Sequence, residues 1–304
     1  MVAGSTPAPG ERGLTDRAPA WTLAVAAMLS VQVAAALSTH LFDTVGPAGT
    51  AWLRLTFGAI VFLAISRPRV RRLSRSDKGT VLALGVATGL VTVAFSSAIA
   101  RIPLGTAVAI EFLGPLGVAV FHDPDRRRLL WPALALAGVV LLTEPWQASI
   151  DPVGVLLAAL AACGWGTYIV LTQRVGDRLV GLQGLSLTIP IAAIAAASFG
   201  IPEAAGHLSW PIVGAAAGLA LLMPVLPMSL ELLALRRLTT HAFGTLMALE
   251  PAFGLTVGSV LLSQVPTALQ VIGITLVVVA GIGAERGGHR EDRPEPSSPP
   301  PLID

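Results

Sequence analysis

About ten apolar, helix-length segments follow one another along this chain, and no other feature constrains its fold as strongly. They run over residues 20–38, 47–66, 78–99, 103–121, 129–146, 152–172, 181–200, 209–233, 240–262 and 266–284. A run of roughly 20 predominantly apolar residues crosses a bilayer as a helix, because lipid offers the backbone no hydrogen-bond partners. None of these segments alternates with a period of two, so helices rather than a barrel are expected. Composition agrees: 54% of the residues are hydrophobic and 12% charged, against about 25% charged in a soluble domain. The least regular segments are 103–121, which holds Glu111 and Pro115, and 209–233, which holds Pro224, Pro227 and Glu231. The expected fold class is an all-α membrane protein of ten transmembrane helices.

Positive charge sets the expected orientation. With the N-terminus in the cytoplasm, 18 of the 20 Lys and Arg residues fall on the cytoplasmic side, leaving Arg54 inside a span and Arg101 outside. That bias predicts an even span count, cytoplasmic N- and C-termini and a multi-pass place in the plasma (inner) membrane. Trp21, Trp131, Trp146 and Trp210 stand at predicted span ends, where interfacial anchors belong. Residues 1–18 and 285–304 mix Gly, Pro and charge, so both read as disordered tails. The first lacks the pattern of a cleaved signal peptide. Cys163, the single cysteine, has no internal disulfide partner. The slight basic balance, net +2, reflects arginines facing anionic lipid headgroups. Membrane lipid is therefore the expected partner, and nucleic acid is not.

The two halves of the chain repeat. Val45, Gly46 and Gly49 match Val180, Gly181 and Gly184 at an offset of 135, as Leu134 and Gly138 match Leu269 and Gly273. Arg101 and Pro115 match Arg237 and Pro251 at 136. A competing register of 139 aligns residues 105–111 with 244–250, but 136 keeps the prolines together and makes Glu111 and Glu250 non-equivalent. The domains are then 19–147 and 148–284, each a five-helix repeat. An odd number of spans inserts the second copy upside down, and inverted repeats of this kind exchange conformations around a midplane site. The pattern predicts a carrier with alternating access.

Ionisable residues within spans come next, because a charge at the bilayer centre costs about 2.5–3.5 kcal/mol on insertion scales. Arg54, Glu111 and Glu250 are the candidates, with His40, Glu144, Glu231 and His241 nearer span ends. A substrate or proton site explains them, and so does a buried ion pair that only positions helices. Trp165 and Tyr168, three residues apart on one helix face, either line a cavity or pack. Gln32, Thr106 and Thr245 are lesser polar candidates, both threonines being better explained by bonds to their own helix. Gly85 and Gly89, Gly214 and Gly218, and Gly254 and Gly258 have the spacing of close helix approach. Pro115, Pro190, Pro224, Pro227 and Pro251 are expected to loosen their helices, and the matched pair Pro115 and Pro251 is the gating candidate.

Three stretches resemble a known family: AlaTrpLeuArgLeu at 51–55, AlaArgIleProLeuGlyThrAla at 100–107 leading into GluPheLeuGlyProLeu at 111–116, and AlaLeuArgArgLeuThrThrHisAlaPheGlyThrLeuMetAlaLeuGluPro at 234–251. They are similar to the EamA-type drug/metabolite transporters, and within these to the threonine/homoserine exporter branch. The resemblance covers about residues 20–284. It implies ten helices in two inverted repeats and export of amino acids or related metabolites against protons. It places the family's arginine at Arg54 and its GluPro motif at Glu250 and Pro251. The first half reads Gly114 and Pro115 instead, with Glu111 one turn earlier.

The expected binding set is therefore Arg54, Glu111, Trp165, Tyr168, Gln32 and Glu250, with Glu111 and Glu250 coupling to protons. Arg54 attracts a substrate carboxylate and Glu111 faces an ammonium or exchanges a proton. The partners are a small-molecule substrate and protons, a homodimer remaining open. No cofactor or metal is expected. HExxH, GxSxG, P-loop and CxxC motifs are absent, which disfavours an enzyme. Export of hydrophobic drugs or other metabolites, or import, is the alternative.

Overall fold

The computed structural model describes residues 19–66, 75–121, 130–144, 150–175, 182–235, 238, 243 and 246–287. Arg126, Trp146, Arg178, Arg237, His241, Thr245 and both tails beyond 19 and 287 lie outside the described residues.

Among the described residues the fold is helical, without strands. The elements are α1 (Ala20–Ser38), α2 (Phe42–Val45), α3 (Pro47–Ile65), α4 (Arg75–Ile99), α5 (Leu104–Glu111), α6 (Leu113–Phe121) and α7 (Leu130–Thr143). They continue as α8 (Pro152–Val175), α9 (Leu182–Ala204), α10 (Trp210–Ala220), α11 (Leu226–Leu235), α12 (Glu250–Leu261) and α13 (Ala268–Gly287). Six helices are long and apolar enough to cross a membrane, and three shorter ones are apolar as well. Large apolar side chains such as Ile60, Ile194 and Val260 are more than half exposed. A soluble surface rarely presents so many. This is a multi-pass membrane protein.

The irregular segments break where their prolines predict. Pro115 has no N–H to donate and its ring crowds the carbonyl four residues earlier, and the helix is interrupted at Phe112, between α5 and α6. Pro251 stands in the first turn of α12, where the missing N–H costs nothing, and the chain turns at residues 248–249 just before it. In the third case α10 passes through a wide turn, residues 221–225, in which Met223 is extended, and restarts as α11. The Ser30 hydroxyl donates to the Leu222 carbonyl at 2.6 Å, so a neighbouring helix satisfies that carbonyl within the break. Pro190 and Pro202 interrupt nothing visible and lie inside α9.

Small residues set the packing. α3 lies against α9, α4 against α8 and α9, α7 against α13, α5 against α12, and α1 against α11 and α12. A Cβ added at Gly89 would stand 2.5 Å from the Ala192 carbonyl oxygen on α9. Gly138 and Gly273 meet reciprocally, a Cβ on either being 2.6 Å from the other's carbonyl oxygen. Backbones in direct contact leave room for no side chain. Gly214 and Gly218, in contrast, face open space, so that glycine pair is not a packing seam. α5 is buried from Leu104 to Ile110 and forms the centre of the largest apolar cluster.

Helix ends are closed by side chains, some from far away in sequence and some local. Gly46, at φ +69, turns the chain between α2 and α3. Beyond it the Glu203 carboxylate, at the end of α9, accepts from the backbone N–H of Ala48 at 2.7 Å and Gly49 at 3.1 Å, a favourable place for negative charge. Gln264 Oε1 caps α5 by accepting from Leu104 N at 3.1 Å. Asp151 accepts from Val153 N at 2.8 Å at the start of α8 and from Arg101 Nη1 at 2.9 Å. Thr267 and Gln270 form a reciprocal capping box on α13, and the Thr267 hydroxyl donates to Glu144.

Candidate functional site

Arg54 is the eighth residue of the 19-residue α3. At 1.5 Å per residue it sits near the middle of a helix about 28 Å long. Burial there leaves Arg54 3% exposed. Among the described residues its hydrogen bond is from Nη1 to Ser38 Oγ at 3.1 Å, and the Ser38 hydroxyl in turn donates to the Ala34 carbonyl at 2.6 Å. No described carboxylate stands within ion-pair distance of Arg54; the ion pair found is the surface one between Arg101 and Asp151. A guanidinium offers five N–H donors and stays charged at any ordinary pH. Most of its capacity is therefore available to something else.

That something faces a cavity of about 220 Å³. All six predicted binding residues line it: Gln32 from α1, Arg54 from α3, Glu111 from α5, Trp165 and Tyr168 from α8, and Glu250 from α12. Residues as far apart as Gln32 and Glu250 converge because the buried α5 packs on α8 and α12, and α12 packs in turn on α1. Pro115 and Pro251 stay outside the lining and sit beside the helix breaks that place the two glutamates.

The acidic wall is incompletely bonded. Gln32 Nε2 donates to Glu250 Oε1 at 3.3 Å, while Gln32 Oε1 and Glu250 Oε2 are buried without any hydrogen-bond partner. Gln32 is 1% and Glu250 5% exposed, so bulk water does not serve them. Leaving a buried polar group unpaired costs about 1–3 kcal/mol, and more for a charged one. Gln32 Oε1 lies toward Gly254 on α12, and Gln32 and Glu250 both contribute to the cavity lining, so two acceptors without a donor stand in the cavity wall.

Glu231 on α11 also lines the cavity, within Coulombic range of Glu250, as is Glu111. The sequence put it near a span end. The break at Met223 instead carries the first turn and a half of α11 along the cavity wall. Met223, Met228 and Met247 add apolar surface to the lining, and Thr88 and Thr92 of α4 line it too. Both threonine hydroxyls bond their own helix at 2.8 Å. Spacing of four in α4 was the available sign of these two. Thr106 is buried in α5 away from the cavity lining, and His40 is exposed. Among the described residues no cluster of three His, Cys, Asp or Glu could hold a metal ion.

A larger hollow of about 840 Å³ lies between α4, α8 and α9. Of its polar lining, Thr167 donates to the Cys163 carbonyl and Glu203 caps α3. Val91 belongs to both linings.

Known proteins match this chain over nearly its whole length. The model of the EamA-like transporter family matches residues 152–283. The threonine/homoserine exporter RhtA of Salmonella typhimurium is 34% identical over 285 residues, covering 92% of this chain and 96% of its own. Its counterpart in Escherichia coli is 32% identical over 293 residues, 92% and 97% of the two chains. The pseudopaline exporter CntI of Pseudomonas aeruginosa is 26% identical over 274 residues, 87% and 95% of the chains. A solved crystal structure superposes with a TM-score of 0.58 at 21% identity, over 88% of this chain and 98% of that one, and so shares the fold.

Proposed function

Because the chain belongs to the EamA-like transporter family, we propose that it exports small amino acids of the threonine and homoserine type across the plasma membrane by alternating access. The observation that carries this is the mixed charge of the cavity: a buried guanidinium with no acid partner among the described residues, and carboxylates elsewhere in the same lining. An α-amino acid carries the complementary charges. Its carboxylate meets Arg54 in a two-point hydrogen bond. Its ammonium meets the glutamate side, where Glu111 and Glu250 also accept and release protons that drive exchange. Trp165 and Tyr168 shape the space between. At 220 Å³ the cavity holds about seven waters' worth of volume and lies below the 300–1,000 Å³ of drug-sized pockets. Small cargo fits that size and hydrophobic drugs do not.

Ten spans follow when α5 joins α6 and α10 joins α11 across their breaks, five in each half. The pairing of helices supports an inverted duplication. In such an arrangement α3 and α9 are mates, as are α5 and α12, and α7 and α13, and each packs on its own mate. The contact of α4 with α8 has its image in that of α1 with α11. Gly138 and Gly273, matched at the repeat offset, touch reciprocally, as residues on a two-fold axis must. Both termini are then cytoplasmic, and the caps at the starts of α3, α5, α8 and α13 face outward.

Counterflow of labelled threonine and homoserine in proteoliposomes tests the proposal. Robust exchange in the wild type, lost in Arg54→Ala and Glu111→Gln, is expected. Unchanged exchange in both variants would remove the site, and indifference to an imposed pH gradient would remove proton coupling.

A further inference from the structure

The cavity holds more acid than a neutral amino acid can use. Its charged and titratable lining consists of Arg54, Glu111, Glu231, Glu250 and Tyr168. Given an amino-acid exporter, the cargo carboxylate occupies Arg54. The α-ammonium, with three N–H donors, satisfies the orphaned Gln32 Oε1 and Glu250 Oε2 together. Two carboxyl groups then remain without a cation. An unpaired carboxylate held away from bulk water is disfavoured, so each takes up a proton or meets a further positive charge.

Glu231 is placed to meet that charge. α11, which carries it, packs on α1, which carries Gln32, and α1 packs in turn on α12, which carries Glu250. A cargo held by its ammonium between Gln32 and Glu250 therefore has Glu231 on the neighbouring helix. Glu111 belongs to α5, which packs on α8 and α12. Met228, three residues before Glu231, and Met223 give this corner unbranched, adaptable walls. Resting on the amino-acid reading above, we infer that Glu231 forms a second cation subsite, so that small diamino acids are cargo alongside neutral ones. The second ammonium stands where a proton stands when the cargo is neutral. The limited volume restricts this to short chains: a four-carbon diamino acid fits where longer basic amino acids crowd the methionines.

An isosteric pair isolates the charge. 2,4-Diaminobutyrate is homoserine with an ammonium in place of the hydroxyl. In wild-type proteoliposomes loaded with labelled homoserine, external 2,4-diaminobutyrate should drive counterflow within about tenfold of the rate given by external homoserine. Glu231→Gln, which keeps shape and removes charge, should lower the ratio of the two rates by about tenfold, the worth of one charged hydrogen bond. Glu231→Asp should restore part of that ratio. Homoserine exchange without diaminobutyrate exchange in the wild type overturns the second subsite and leaves the exporter standing. So does a ratio that Glu231→Gln fails to move. Absence of exchange with either compound overturns the exporter reading and this inference together.

Discussion

The ends of the helices and the cavity halfway along them treat polar groups in opposite ways. At the ends the carboxylates and amides described above have donors: Glu203 has two backbone N–H groups, Gln264 has Leu104, Asp151 has Arg101 and its own helix, and Glu144 has Thr267. In the cavity Arg54 has a serine, and Gln32 and Glu250 keep one empty acceptor each. Satisfied groups hold the bundle together, whereas under the proposed function the unsatisfied ones take the cargo. The difference separates stability from transport residue by residue.

The largest effect expected from breaking this division is at Arg54. Arg54→Met should lower threonine counterflow by roughly 10- to 100-fold, the loss of a charged hydrogen-bonded pair. It should also raise the melting temperature of the purified protein, because an unpaired buried charge is removed. A variant that loses both activity and stability would place Arg54 among the structural groups. Glu250→Gln comes next. It keeps the bond with Gln32 and removes the charge, so exchange should fall by about tenfold in initial-rate measurements while melting hardly moves.

The opposite pattern is expected at the ends. Glu203→Ala leaves two N–H groups of α3 uncapped and should cost about 1 kcal/mol, read as a lower melting temperature. Initial rates per folded molecule should change far less than in the Arg54 variant. The smallest effect is that of Asp151. Hydrogen bonds, first from Arg101, hold its carboxyl below the ordinary value of 3.8. A carboxyl lowered on folding adds stability above its unfolded value, and that stability is lost as the pH falls through the lower folded value. Thermal melts of wild type and Asp151→Asn should therefore differ at neutral pH, converge in acid, and differ less at high salt.

The cavity was largely legible in the sequence because lipid makes ionisable side chains conspicuous. Arg54, Glu111 and Glu250 stand out against apolar neighbours, and Gln32, Trp165 and Tyr168 follow as polar or amphipathic positions in the same kind of helix. Glu231 was underrated because position along a straight span puts it near an end, and the break at Met223 moves it inward. The methionines gave no sign, since an apolar residue in an apolar helix looks the same facing cargo, protein or lipid. Two of the caps were invisible for another reason. Glu203 and Ala48 are 155 residues apart, and Gln264 and Leu104 160, so local patterning carries no trace of either. The glycine spacing succeeded at Gly85 and Gly89 and failed at Gly214 and Gly218, because spacing alone does not say whether a helix comes to fill the groove.

Met223, Met228 and Met247 give the pocket a side that yields without choosing. Under the proposed function the fixed charges would grip the backbone atoms common to every amino acid, while soft sulfur-bearing chains would accept whatever protrudes. Evolution or an engineer wishing to retune which metabolite leaves the cell would thus replace methionines with stiffer residues and spare the charges. Selectivity would be written in those three positions, and competence to transport in the ionic ones.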